Sequence, residues 1–135
     1  MSQENVEIVR KVFDHGFVRR DFDAALSLIH PEAVMDWSDS RAPYSSIYRG
    51  HAEIRTAWVE WTEAWDEWNP YIKEAIEVDR DTVVIVTLVN ARGKGSGVRV
   101  DAQGASVWTV RDGKVTHAKL FQSKADALAA TGLEE

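Results

Sequence analysis

The chain is predicted to fold as an α+β domain, with helices first and an antiparallel sheet after them. Three observations predict this. Through much of residues 3–68, apolar side chains recur at three- and four-residue spacings. From Tyr71 onward the pattern changes to β-branched runs separated by short polar or glycine-rich turns. The length of 135 residues, 44% hydrophobic and 28% charged, suits one domain spanning 1–135. A chain of that size buries about two-thirds of the surface it would expose unfolded.

Residues 3–19 place Val6, Val9, Phe13 and Phe17 on one helical face, with Glu4, Glu7, Arg10 and Lys11 elsewhere. Asp21 is a suitable N-cap for a second, shorter helix lined by Phe22, Leu26 and Ile29. His30-Pro31 should end that helix, because a residue preceding proline avoids helical geometry. Ala33–Trp37 reads as a short strand, and residues 38–47 as a polar loop holding Ser38, Asp39, Ser40, Pro43, Ser45 and Ser46.

A third helix is expected from about His51 to Trp68, closed by Asn69-Pro70. Ile54, Trp58, Trp61, Trp65 and Trp68 would then share one stripe, with Glu53, Glu60, Glu63, Asp66 and Glu67 off it. Four tryptophans within eleven residues are costly for a plain core, since each indole N–H needs a partner when buried. Two readings stay open. Either the stripe packs helix onto sheet, or its middle lines a cavity for a flat apolar ligand.

Strands follow at Tyr71–Val78, Thr82–Ala91, Val98–Ala102, Ser106–Arg111 and Val115–Phe121, with Asp112-Gly113 a strong hairpin signal. Ser123 should cap a last helix, Lys124–Ala130, stopped at Gly132. Val83–Val89 is apolar on both faces, so a second subunit is expected to cover the side that the helices do not.

Composition excludes several function classes. A net charge of −6 without a basic cluster argues against nucleic acid and anionic membranes, and the Arg19-Arg20 pair is followed at once by Asp21. With no cysteine, thiolate metal sites and Cys nucleophiles are ruled out. No apolar run reaches membrane-span length and no segment reads as a signal peptide, so a cytoplasmic protein is expected. His15, His30, His51 and His117 are dispersed and no H-E-x-x-H occurs, so neither a metal site nor a cofactor is expected. His51-Ala52-Glu53 matches the start of a zinc-deaminase signature but lacks the cysteine pair. Gly93-Lys94-Gly95-Ser96-Gly97 lacks phosphate-loop spacing and leads into a strand, so it reads as a turn. Asp36 and Asp39 read as solvated carboxylates flanking the loop.

Three local patterns, in order, resemble one family. Arg20-Asp21-Phe22-Asp23 resembles the "G-D-hydrophobic-D" junction between the first two helices. Tyr48-Arg49-Gly50-His51-Ala52-Glu53-Ile54 resembles the "Y-x-G-x-x-x-I" entry to the third, and Ser106–Val115 resembles a strand–"D-G-K"–strand hairpin. Over about residues 5–128 the chain is similar to the SnoaL-like domain of the nuclear transport factor 2-like superfamily. The resemblance implies a cone: three N-terminal helices on a curved, mainly antiparallel sheet, a deep apolar pocket, and often a homodimer through the sheet. It names no reaction, because this fold hosts isomerases, dehydratases, cyclases and binders.

Ketosteroid isomerase places a tyrosine, an aspartate base and a protonated aspartate in its pocket. By alignment those positions fall here on Phe13, Trp37 and Ser106, so that chemistry is not expected. Asp36 should point away wherever Trp37 points inward. The candidate pocket comprises Phe13, Phe17, Trp37, Tyr48, Trp58, Trp61, Trp65, Ser106, Trp108, His117, Lys119 and Phe121. Its expected occupant is a small apolar or aromatic molecule, held by a cofactor-independent acid–base enzyme of cyclase, isomerase or dehydratase type or by a non-catalytic binding protein; the alternative is a dimerisation module whose core is filled by its own side chains. His117 is the one candidate for acid–base work, with Lys119 holding an anionic group, if their strand face lines the cone. On the opposite phase, both face outward or pair with carboxylates.

Overall fold

The computed structural model describes residues 2–38 and 46–132, so Asp39, Ser40, Pro43 and Ser45 of the expected loop lie outside the described residues. Helix α1 (Ser2–Phe13) buries Val6, Val9, Val12 and Phe13 and runs directly into a π-helical turn, Asp14–Val18. There the Arg19 N–H reaches five residues back to the Asp14 carbonyl at 2.9 Å. The turn brings Phe17 within 5.4 Å of Phe13 and buries Gly16 against Trp58, whose Cη2 would stand 3.4 Å from an added Cβ. Arg20 then takes a left-handed φ of +57°, at the place where the family signature carries glycine, and its guanidinium donates to the Thr62 carbonyl. Asp21 caps α2 (Phe22–Leu26) as expected, accepting from the Ala24 N–H at 3.2 Å.

Strand β1 (Ile29–Asp36) starts earlier than expected, with Pro31 where the register shifts between Ile29 and Val34. Strand β2 (Ile47–Arg49) pairs antiparallel to it and leads into α3 (Gly50–Glu63). Glu53 accepts the Arg49 N–H at 2.9 Å, and His51 Nε2 bonds the Ile29 carbonyl at 2.8 Å, fixing the helix start to β1.

The helix expected to continue to Trp68 ends at Glu63, and Trp65 and Trp68 belong to β3 (Trp65–Glu77). Pro70 would clash with a helical turn before it, whereas an edge strand tolerates proline. From Trp65 on, the backbone finds its partner in β4 (Thr82–Gly93), with Trp65 opposite Gly93 and Trp68 opposite Ala91. Strand β5 (Arg99–Arg111) is continuous where two segments were expected. It turns through Asp112 and Gly113, both at positive φ, into β6 (Lys114–Phe121). Ser123 caps α4 (Lys124–Ala130) by accepting the Asp126 N–H.

The sheet order is β2-β1-β6-β5-β4-β3, and only β1 and β6 run parallel. It forms a curved, unclosed sheet with the N-terminal helices on one face. The main core lies there, built from Val9, Val12, Ile54, Trp58, Val83, Ile85, Val110 and Val115. On the other face α4 sets Ala127 and Leu128 against Val84 and Ala105. Val84 and Val86 are already fully buried within one chain. Within one chain α4 thus covers part of the face that a second subunit was expected to cover, while Leu88 stays half-buried. Among the described residues no helix is long and apolar enough to cross a membrane.

Candidate functional site

A cavity of about 410 Å³ lies between the helices and the far half of the sheet. Its aromatic wall takes Phe13 and Phe17 from α1 and the π-helical turn, Trp37 from the end of β1, Trp61 from α3, and Trp65 and Trp68 from β3. The facing wall is small or slender: Thr87 and Val89 on β4, Ala102, Gly104 and Ser106 on β5, and Ala118 on β6. Trp108, Met35, Ile85 and Leu120 also border the cavity. Such a volume falls within the range of small-molecule sites.

The aromatic wall is continuous. Phe17 lies 6.4 Å from Trp37, which meets Trp61 edge-on at 5.9 Å. Trp61 in turn touches Trp65 at 5.6 Å and Trp68 at 5.4 Å, and Trp65 stacks on Trp68 at 5.7 Å. Three residues apart on a regular strand, Trp65 and Trp68 would face opposite ways. The register shift between Trp65 and Glu67 inserts one extra residue, Asp66, and the bulge returns both rings to the same side.

Two of the indoles are tied down. Trp68 Nε1 donates to the Phe17 carbonyl at 2.9 Å, binding the edge strand to the π-helical turn. Trp108 Nε1 donates to Ser106 Oγ at 2.7 Å, so the serine at the isomerase's late-aspartate position serves as a hydrogen-bond acceptor. The Nε1 atoms of Trp58 and Trp65 are buried without a hydrogen-bond partner among the described residues.

Of the residues singled out in the sequence, Phe13, Phe17, Trp37, Trp61, Trp65, Ser106, Trp108, Lys119 and Phe121 border the cavity. Trp58 does not: it is fully buried beneath, between Phe17 at 5.7 Å and Phe22 at 6.0 Å. Tyr48 supports Trp37 from behind, edge-on at 5.4 Å. His117 lies across the sheet from the cavity. A register shift between Thr109 and Val110 makes Thr116 an extra residue, so Val115 points to the core while His117 pairs with outward Thr109. Trp68, at the end of the expected stripe, and Thr87, Ala102 and Gly104 also line the cavity and were not among the candidate pocket residues. The alternation Ile85, Thr87, Val89 was the available signal for Thr87.

The outward phase gathers Asp36, His117 and Lys119. Asp36 Oδ1 accepts from the Ser38 N–H at 2.9 Å and from the Ser38 hydroxyl at 2.6 Å, and Lys119 Nζ stands 3.9 Å from Oδ2. Partial burial pushes the Asp36 carboxyl upward, but the Ser38 hydrogen bonds and the charges of Lys119 and His117 together hold it below its ordinary value. Lys119 also lies 5.3 Å from the Phe121 ring centre. Among the described residues no three His, Cys, Asp or Glu side chains gather as a metal site would require.

A model of the SnoaL-like domain family matches residues 9–118, so the chain belongs to the SnoaL-like family of the nuclear transport factor 2-like superfamily. No curated protein matches it. Solved structures share the fold at low identity. TerC, co-crystallised with polyporic acid, superposes with a TM-score of 0.76 at 21% identity, over 96% of this chain and 98% of that one. A putative SnoaL-like polyketide cyclase from Jannaschia sp. CCS1 gives 0.77 at 20% identity, over 98% and 94%. A hypothetical protein with a ketosteroid isomerase-like fold from Catenulispora acidiphila DSM 44928, in complex with trimethylamine, gives 0.74 at 17%, over 94% and 93%.

Proposed function

We propose that this protein binds a small, flat apolar or aromatic molecule between its aromatic wall and the small residues of β4, β5 and β6. The observation that carries the reading is the pairing of those two walls around about 410 Å³ of space. A ring system laid against Trp61, Trp65 and Trp68 gains stacking as well as apolar burial. Similar folds crystallised with polyporic acid and with trimethylamine support a small-molecule role.

Binding is favoured over catalysis by what borders the cavity. General acid–base work needs a titratable group within hydrogen-bond reach of the reacting atom. Among the described residues no carboxylate or imidazole borders this cavity, and the one ammonium that does, that of Lys119, is engaged by Asp36 and Phe121. An acid–base role for His117 would require substrate on the opposite face of the sheet.

The test is a fluorescence titration with planar polycyclic and phenolic compounds, repeated on Gly104→Leu. An added Gly104 Cβ meets only Thr87 Oγ1 at 3.7 Å and the Phe121 carbonyl at 3.9 Å, so the backbone accepts a side chain that then fills the cavity. The reading expects saturable changes in tryptophan emission, lost in folded Gly104→Leu. Equal binding by the blocked variant would refute the site, and no response to any compound would refute the function.

A further inference from the structure

A second cavity, about 290 Å³, adjoins the first beneath the β4–β5 turn. Trp61, Trp65 and Val100 border both chambers. The far side is the turn itself, contributing Gly93, Lys94, Ser96 and Val98. This turn is tied down at several points. The Gly93 N–H bonds the Val98 carbonyl at 2.9 Å, the Gly97 N–H bonds the Gly93 carbonyl at 3.1 Å, and the Lys94 N–H bonds Ala64 at the end of α3 at 3.0 Å. Ser96 Oγ sits 2.7 Å from where a Gly93 Cβ would stand, so a side chain at position 93 would displace the Ser96 hydroxyl.

The charge distribution around the two chambers is one-sided. The chain carries 22 acidic and 16 basic residues, yet among the described residues no carboxylate borders either chamber, and the charged residues that do are Lys119 and Lys94. Lys119 is partnered by Asp36. Lys94 is exposed and makes no ion pair among the described residues. Among the described residues a cationic ligand would find no counter-charge on these walls, whereas a carboxylate or phenolate in the smaller chamber would find Lys94 among its bordering residues.

We propose that the smaller chamber receives the anionic end of a ligand whose apolar ring body occupies the larger one, with Lys94 selecting for the negative charge. The inference rests on the binding function proposed above and names its ligand class, an aromatic acid. A partly exposed ion pair supports about a two- to fivefold preference at low ionic strength. Salt should erase it, because exposed charges are screened within about 3 Å at ~1 M.

Three matched probes test it: 4-(1-pyrenyl)butyrate, 4-(1-pyrenyl)butanol and 4-(1-pyrenyl)butyltrimethylammonium, each followed by energy transfer from tryptophan to pyrene. The expected order of affinity is acid, alcohol, ammonium. Lys94→Gln should bring acid and alcohol together, while Lys94→Arg should keep them apart. An acid preference that survives in Lys94→Gln overturns the assignment, as does a wild type that binds the acid and alcohol alike. If none of the probes binds, the cavity reading itself falls, a result distinguishable from loss of charge selection alone.

Discussion

Trp58 and Trp68 offer a paired test of how the indole N–H groups contribute, because one is buried unpaired and the other is bonded. Trp58 is fully buried with its N–H unpaired, whereas the Trp68 N–H bonds the Phe17 carbonyl at 2.9 Å. Trp58→Phe leaves a void of about 40 Å³, which at ~24 cal/mol per Å³ costs about 1 kcal/mol. It also removes an unsatisfied buried donor, whose presence costs about 1–3 kcal/mol. The net expectation runs from neutral to about 2 kcal/mol stabilising. Trp68→Phe gains no such relief and strands the Phe17 carbonyl, a loss of about 1–3 kcal/mol. Urea unfolding followed by circular dichroism, at one protein concentration and with unchanged slope, gives both values from the midpoints. Equal destabilisation by the two substitutions would refute the assignment of paired and unpaired indoles.

Other outcomes follow from features of the fold. At Arg20, Gly should exceed Ala in stability by about 1 kcal/mol, because both lose the bond to Thr62 and only glycine takes φ +57° without strain; equal urea midpoints would refute this. Asp21→Ala should cost about 1 kcal/mol through the lost cap on α2, again read from the urea midpoint. The folded Asp36 carboxyl titrates below its unfolded value, so its stabilisation is fully present above about pH 4 and is lost as pH falls through the folded value. Asp36→Asn should therefore be the weaker protein at pH 7, with the gap narrowing below about pH 4. A gap independent of pH would show that Asp36 acts by packing alone.

Features set by neighbours in the chain were legible in the sequence. The caps at Asp21 and Ser123 and the turn at Asp112-Gly113 each follow from one residue's local chemistry. The errors trace to long-range strand pairing. A spacing of four, three, four and three residues suits a helix, but Trp65 and Trp68 meet Trp61 equally well from a strand with a bulge at Asp66. Another bulge, at Thr116, reverses the phase of β6, which is why His117 could not be placed from alternation alone. The cover over Val84 comes from α4, at the far end of the sequence, and no local pattern announces it. The cavity's aromatic wall was visible as composition. Its small-residue wall was not, because Ala102 and Gly104 look like a break between two strands until pairing with Val89 and Thr87 makes them one.

Strand β3 also bears on how the molecule behaves when crowded. It is the outermost strand of the sheet, and thirteen residues of open edge would ordinarily template another chain. Here Pro70 removes a donor from that edge, bulges at Asp66 and Lys73 break its spacing twice, and Glu67, Lys73, Glu74 and Glu77 stud it with charge. The bulge that turns Trp65 and Trp68 inward thus also spoils the strand as a seed for fibrillar growth. Straightening β3 to simplify the fold would expose the protein to aggregation at the same stroke.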